Sequence, residues 1–132
     1  MDYVFVDTSA WYAYINAGDP DHGRVRSAME ELAGRLLTSN YVFDELITLV
    51  LRRLGHQAAI KVGRALLNPA EVVMERVRAV DEQKAWEFLQ RRPDTRYSFT
   101  DCTSFALMQR LGLKRALALD DHFRQEQFLV LP

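Results

Sequence analysis

Residues 3–7, Tyr3-Val4-Phe5-Val6-Asp7, decide the fold: four consecutive apolar side chains run straight into a carboxylate. Strand side chains alternate between two faces, so an unbroken apolar run reads as a strand buried on both. Ala116-Leu117-Ala118-Leu119-Asp120 repeats the pattern near the other end of the chain. In open α/β sheets, ligands gather at the carboxyl ends of strands. Asp7 and Asp120 are therefore candidates for one shared site.

Working outward from the first run, Thr8 to Asn16 reads as a short helix, and Gly18-Asp19-Pro20 punctuates its end. Pro20 is suited to open a second helix, which runs to about Ala33 and is stopped by Gly34. Arg35 to Thr38 reads as a strand. Ser39-Asn40, both good cap residues, lead from it into a strongly apolar helix that ends near Leu54, before Gly55. His56 to Leu67 supports a helix that Asn68-Pro69 breaks, and Val72-Val73-Met74 with Val77 reads as a third strand. Asp81 to Arg91 is helical, with Pro93 forcing a loop. Thr100-Asp101 opens a further helix whose buried face is Phe105, Ala106, Leu107 and Leu111, and Gly112 ends it. Phe128 to Leu131 is a last strand. Helices alternating with short apolar strands predict an α/β fold: a central, mainly parallel sheet of about five short strands, flanked by helices on both faces.

Bulk properties narrow the class. A chain of 132 residues with 48% hydrophobic content forms one domain, residues 1–132, with one core. Net charge is −1, but residues 1–50 carry 8 acids and 3 bases, whereas residues 51–132 carry 10 acids and 14 bases. Any phosphate contact must then use local patches rather than a global basic field. Arg52, Arg53, Lys61 and Arg64 form one such stretch, and Arg91, Arg92 and Arg96 another; each also reads as a solvated helix face. Cys102 is the only cysteine, which rules out an intramolecular disulfide and a Cys-rich zinc cluster. With no signal-like or membrane-length apolar stretch, the expectation is a soluble cytoplasmic protein without membrane contact. No Gly-rich phosphate loop is present.

Asp101, at the start of a helix, is a candidate for the same site as Asp7 and Asp120, although capping the helix is an equally physical use for it. Glu45 lies in Val42-Phe43-Asp44-Glu45-Leu46-Ile47 and shares a helical face with Val42 and Leu49. Asp44 shares a more polar face with Asn40 and Thr48, so Glu45 is the carboxylate nearer the buried boundary. A cluster of carboxylates selects hard cations, Mg²⁺ or Mn²⁺. His22, His56 and His122 lack the spacing of a histidine metal site, and His122 reads as local packing. Cys102 reads as buried and inert.

These residues, taken in order, resemble the PIN-domain nucleases. Val6-Asp7-Thr8-Ser9 is similar to that family's opening strand and motif, Asp44-Glu45-Leu46 to its helix-borne glutamate, Phe99-Thr100-Asp101-Cys102 to its third acidic motif, and Leu119-Asp120-Asp121-His122-Phe123 to its fourth. The likeness covers essentially the whole chain and is greatest to the small VapC-type toxins of type II toxin–antitoxin pairs. It implies a single PIN-like domain acting as an endoribonuclease that hydrolyses RNA phosphodiester bonds with one or two Mg²⁺ (or Mn²⁺) ions. Asp7, Glu45, Asp101 and Asp120 would be the metal-site acids, and Ser9 a hydroxyl ordering water there. Asp121 stands where such proteins are often basic or variable, leaving open whether Asp120, Asp121 or both approach the metal. Strand register favours Asp120, with Asp121 as a cap for the segment from His122. The resemblance further implies a homodimer and a cognate antitoxin, and the aromatics Trp11, Tyr12, Tyr14, Trp86 and Phe88 could serve such interfaces as well as the core. A non-catalytic PIN-like module that binds RNA or protein is the alternative, and a phosphotransfer receiver-like domain is set lower.

Overall fold

Val4, Phe5 and Val6 form strand β1, and none of the three exposes any surface. Both faces of this strand are therefore covered, as the unbroken apolar run requires. The computed structural model describes residues 2–32 and 35–132, and within them the chain forms five strands and seven helices. After β1 (Val4–Val6) come α1 (Thr8–Ile15), α2 (His22–Glu31), β2 (Leu36–Ser39), α3 (Asn40–Arg53), α4 (His56–Leu66) and β3 (Val73–Glu75). Then follow α5 (Ala79–Arg91), α6 (Phe99–Leu111), β4 (Arg115–Leu117), α7 (His122–Gln125) and β5 (Leu129–Leu131).

All five strands are parallel, in the order β3-β2-β1-β4-β5. The chain builds outward from β1 through β2 to β3, then crosses back to lay β4 on the other side of β1. The crevice at the carboxyl ends of β1 and β4 is thus the topological switch point, where α/β sheets place their ligands. Thr38 of β2 fastens this centre: its hydroxyl donates to the Val6 carbonyl at 3.0 Å and accepts the Trp11 indole N–H at 3.2 Å.

Two helices carry the candidate acids Glu45 and Asp101 and show why the sequence folds as it does. In α3, Val42, Leu46 and Val50 are fully buried at four-residue spacing, the stripe that turns one face to the core. The Ser39 hydroxyl caps it by accepting the Val42 N–H at 3.1 Å. Gly55, with φ of 95°, separates α3 from α4 in a conformation that other residues rarely adopt. Helix α6 is buried all round from Asp101 to Met108, beyond the single apolar face expected from Phe105, Ala106, Leu107 and Leu111. Its polar members cost little, because Thr103 and Ser104 both donate to the Thr100 carbonyl, at 2.7 and 2.9 Å. The Arg110 guanidinium grips Asp81 with two bonds, at 2.8 and 2.9 Å, and so ties α6 to α5.

Several boundaries differ from expectation, each for a local reason. Pro20 does not open α2: the Asp19 carboxylate accepts the Asp21 N–H at 2.8 Å, forming a turn that delays the helix to His22. That helix ends at Glu31, and the expected stop at Ala33 and Gly34 lies outside the described residues. Helix α6 starts one residue before Thr100, with Ser98 as its cap: the Ser98 hydroxyl accepts the Asp101 N–H at 3.0 Å, and Asp101 completes the capping box by accepting the Ser98 N–H at 2.9 Å. Strand β4 stops at Leu117 because the Leu119 N–H leaves the ladder to bond the Ser9 hydroxyl at 3.1 Å. Phe128 falls outside β5, following Gln127 in a left-handed conformation with φ of 70°. No described helix is long and apolar enough to cross a membrane.

Candidate active site

Asp7 is the first residue beyond β1 and the cap of α1, so its position is fixed by the central strand and by the helix it starts. It is 3% exposed. One carboxylate oxygen, Oδ2, accepts the Ser9 hydroxyl at 2.9 Å and the Ser9 N–H at 3.4 Å. The other, Oδ1, is buried without a hydrogen-bond partner, as is the neighbouring Thr8 hydroxyl. Burial, then the charges of Asp101 and Asp120, push the Asp7 carboxyl up to about 7. An unpartnered carboxylate oxygen in such a place is costly unless a proton or a cation meets it.

Asp101 and Asp120 also bond the protein through one oxygen, though their other oxygens are not buried as that of Asp7 is. At Asp101, Oδ2 accepts both the Ser98 N–H and the His122 Nδ1, each at 2.9 Å, and Oδ1 has no hydrogen bond. At Asp120, Oδ1 accepts the His122 N–H at 3.1 Å, and Oδ2 is again left over. Burial raises the Asp120 carboxyl, the His122 bond and charge pull it back, and Asp101 and Asp121 raise it further. Each of the three aspartates thus spends one oxygen on the protein and keeps the other in reserve.

Glu45 joins them less directly. It is half-buried on α3 and lines a cleft of about 410 Å³ with Thr8, Thr100, Asp44, Thr48, Leu49 and Arg52. Thr8 and Thr100 are the chain neighbours of Asp7 and Asp101, so this cleft adjoins the aspartates. Asp44 is exposed, as the helical face predicts. Among the described residues, no group of three or more His, Cys, Asp or Glu has the spacing to hold a metal ion directly. The oxygens of Asp7, Asp101 and Asp120, with Glu45 in the adjoining cleft, are hard donors that suit Mg²⁺ or Mn²⁺, ions that keep some of their own waters. The reserve oxygen of Asp7 is the feature that such an ion would satisfy.

Three residues around the cluster gain detail from the structure. Ser9, expected to order water, also bridges Asp7 to the Leu119 backbone through its hydroxyl, which fastens the first motif to the fourth and leaves one lone pair over. Asp121 holds the cap position of α7 but makes no capping bond; it pairs at the surface with Arg124 at 3.0 Å, while Asp120 supplies the turn bond to His122. His122, read as packing, touches the site acids. Its signal was the two-residue spacing from Asp120, which lets the Asp120 side chain accept the His122 N–H and set the imidazole beside the cluster. Cys102 is fully buried, and burial followed by the Asp101 charge pushes its thiol up to about 11, so it is inert as expected.

Of the basic stretches, Arg52 is the member beside Glu45. Arg53 lies over the Tyr12 ring at 5.3 Å, and Lys61 and Arg64 line a separate depression on α4 with His56. Arg92 is committed to Glu126 at 3.0 Å, so its charge is largely met within the protein.

Comparison with known proteins bears on the family and the fold. The PIN domain family model matches residues 4–129. Over 126 residues the chain is 41% identical to the 23S rRNA-specific endonuclease VapC20 of Mycobacterium tuberculosis, covering 96% of this chain and 95% of that one. The crystal structure of VapC20, a sarcin–ricin loop cleaving toxin, superposes with a TM-score of 0.91 and covers 98% of this chain and 99% of that one. Ribonuclease VapC26 of the same organism is 33% identical over 117 residues, covering 89% and 86% of the two chains. The DNA-bound VapBC complex of Salmonella typhimurium is similar in fold alone, with a TM-score of 0.67 at 15% identity over 98% and 97% of the chains. With the family model and two relatives each spanning most of its length, the chain belongs to the PIN-domain family.

Proposed function

We propose that this chain is an endoribonuclease, the toxin of a toxin–antitoxin pair, and that it hydrolyses RNA with Mg²⁺ or Mn²⁺ held by Asp7, Glu45, Asp101 and Asp120. The observation that carries the metal reading is the buried, unpartnered Oδ1 of Asp7 beside two further carboxylates. When bound, a divalent ion would polarise the scissile phosphate and lower the pKa of water at the site. The protein does the rest. Ser9, Ser98 and the His122 backbone hold one oxygen of each aspartate in place, and the sheet buries Asp7 away from bulk water. Hydrolysis by water leaves a 5′-phosphate and a 3′-hydroxyl. The kinship with VapC20 makes 23S rRNA the substrate to try first. An antitoxin partner and a homodimer belong to the same reading; exposed Val80 and Trp86 on α5 and Leu129 on β5 are apolar surface that such partners could cover.

Loading should depend on pH in a defined direction. In the unfolded chain Asp7 titrates near 3.8 and in the fold near 7, so its contribution to metal-free stability is fully present below about pH 4 and is lost as pH rises through 7. Metal entry displaces that proton. Mg²⁺ or Mn²⁺ should therefore raise the melting temperature clearly at pH 8 and little at pH 5. An equal rise at both, or none at either, would remove Asp7 from the metal site, and RNA cleavage in the presence of excess chelator would remove the metal from the reaction.

Arg52 is the side chain best placed to meet an RNA phosphate at Glu45. Arg52→Gln should weaken RNA binding about equally across sequences and lower the slope of log K against log salt by roughly 0.7–1. An unchanged slope would return Arg52 to the solvated face of α3.

A further inference from the structure

Asp101 is held by two donors on the same oxygen, and they come from different parts of the chain. The Ser98 N–H belongs to the cap of the helix that carries Asp101, whereas His122 is 21 residues away on α7. A carboxylate oxygen only accepts, so His122 Nδ1 carries the proton and donates it to Asp101. The same Nδ1 lies 3.8 Å from Asp120 Oδ1, too far for a second bond. One donor alone would leave the carboxylate free to turn about that bond; a second, from a separate element, fixes its plane and leaves Oδ1 presented.

The imidazole is itself braced. Its ring stands edge-on to Tyr97, with centroids 5.2 Å apart and planes at 67°. The Tyr97 hydroxyl donates to Glu126 Oε2 at 2.7 Å, and the Arg92 guanidinium holds the same carboxylate from the other side at 3.0 and 3.4 Å. The Glu126 side chain is only 8% exposed, and burial, then Glu126, pushes the Tyr97 phenol well above its usual range, so it stays a donor. Tyr97 also packs edge-on to the fully buried Phe105, at 5.0 Å. The loop before α6 and the segment after α7 are thereby locked together behind His122.

We propose that His122 is a positioning residue of the active site: by donating from Nδ1 to Asp101 Oδ2, and held there by the Tyr97–Glu126–Arg92 brace, it fixes the Asp101 carboxylate so that Oδ1 stays available to a divalent ion. The inference rests on Asp101 being a metal-site acid. Partners that orient a ligand in this way typically carry 10–100-fold of metal affinity or activity.

The test measures Mn²⁺ binding by calorimetry and RNA cleavage across a Mn²⁺ titration, for the wild type and for His122→Leu, His122→Asn and His122→Gln, with melting curves to confirm folding. An asparagine amide can donate from near the place of Nδ1, whereas a glutamine amide is one bond further out. His122→Leu should bind Mn²⁺ about 10–100-fold more weakly and regain cleavage at excess Mn²⁺, and His122→Asn should stay within about threefold of the wild type. Mn²⁺ affinity in His122→Leu equal to the wild type would overturn the proposal, as would His122→Asn binding as weakly as His122→Leu. If the leucine variant does not fold, the amide pair decides: asparagine must exceed glutamine, and equality counts against the role. A wild type that takes up no Mn²⁺ would bring down the metal reading and this inference together, whereas wild-type binding with unaffected variants would bring down this inference alone.

Discussion

Asp7→Asn should lower RNA cleavage by about 10²–10³-fold, the scale seen when one electrostatic stabiliser is removed from an active site, while making the metal-free protein more stable at pH 8. The two effects share one cause. Asn keeps an acceptor for the Ser9 bonds that fix the start of α1, but it carries no charge to be desolvated or repelled by Asp101 and Asp120. With the Asp7 carboxyl at about 7 in the fold against 3.8 unfolded, the wild type loses stability between about pH 4 and pH 7 that the variant retains. At roughly 1.4 kcal/mol per pKa unit, the gain at pH 8 is on the order of a few kcal/mol, and it vanishes near pH 4. Thermal melts at both pH values, with chelator present, measure it. A variant that is inactive and also less stable at pH 8 would mean that Asp7 holds the fold rather than the ion. Both results together would show function kept at the expense of stability, as is common for preorganised charge.

Phe105→Ala should be the most damaging change away from the carboxylates, costing about 3–5 kcal/mol. The Phe105 ring is fully buried and meets four aromatic rings from four places in the chain: Tyr97 at 5.0 Å, Phe123 at 5.1 Å, Phe88 at 5.8 Å and Phe128 at 6.1 Å. Phe88 belongs to α5 and Phe123 to α7, and Tyr97 is the residue behind His122. Removing the ring therefore opens a cavity beneath the fourth acidic motif as well as in the core. Urea unfolding measures the cost, with Leu129→Ala as the contrast: Leu129 is 64% exposed, and its truncation should stay within about 0.5 kcal/mol. A loss below about 1 kcal/mol for Phe105→Ala would show that the cluster repacks and does not join these elements.

What could be read from the sequence depended on how local its cause was. Ser39, Gly55 and Gly112 mark their helix ends through their own backbone and side-chain chemistry, and all three stand where the sequence predicts. The buried central strand was equally legible, because an apolar run of that length has few other uses. The end of β4 was not: a hydroxyl from residue 9 takes the N–H of residue 119, and no local pattern announces a bond across 110 positions. Asp101 shows both sides of the problem. It could be read as a site acid or as part of a helix start, and the two uses are compatible: one oxygen takes the bonds from Ser98 and His122 and the other makes none. Glu45 was separable from Asp44 by helical phase, but its distance from the aspartates depends on how α3 packs. The extent of α6 burial was hidden because Thr103 and Ser104 look like surface residues until their bonds to the Thr100 carbonyl are seen. The resemblance to PIN-domain nucleases supplied the reaction, which acidic residues alone leave open.

The most direct measurement is to incubate the purified protein with ribosomal RNA and map the ends it produces, with Mg²⁺ or Mn²⁺, with chelator, and as Asp7→Asn. Metal-assisted hydrolysis at the carboxylates predicts a discrete cut bearing a 5′-phosphate and a 3′-hydroxyl, absent with chelator and slowed by about 10²–10³-fold in the variant. A 2′,3′-cyclic phosphate end, or an undiminished cut in chelator, would contradict it.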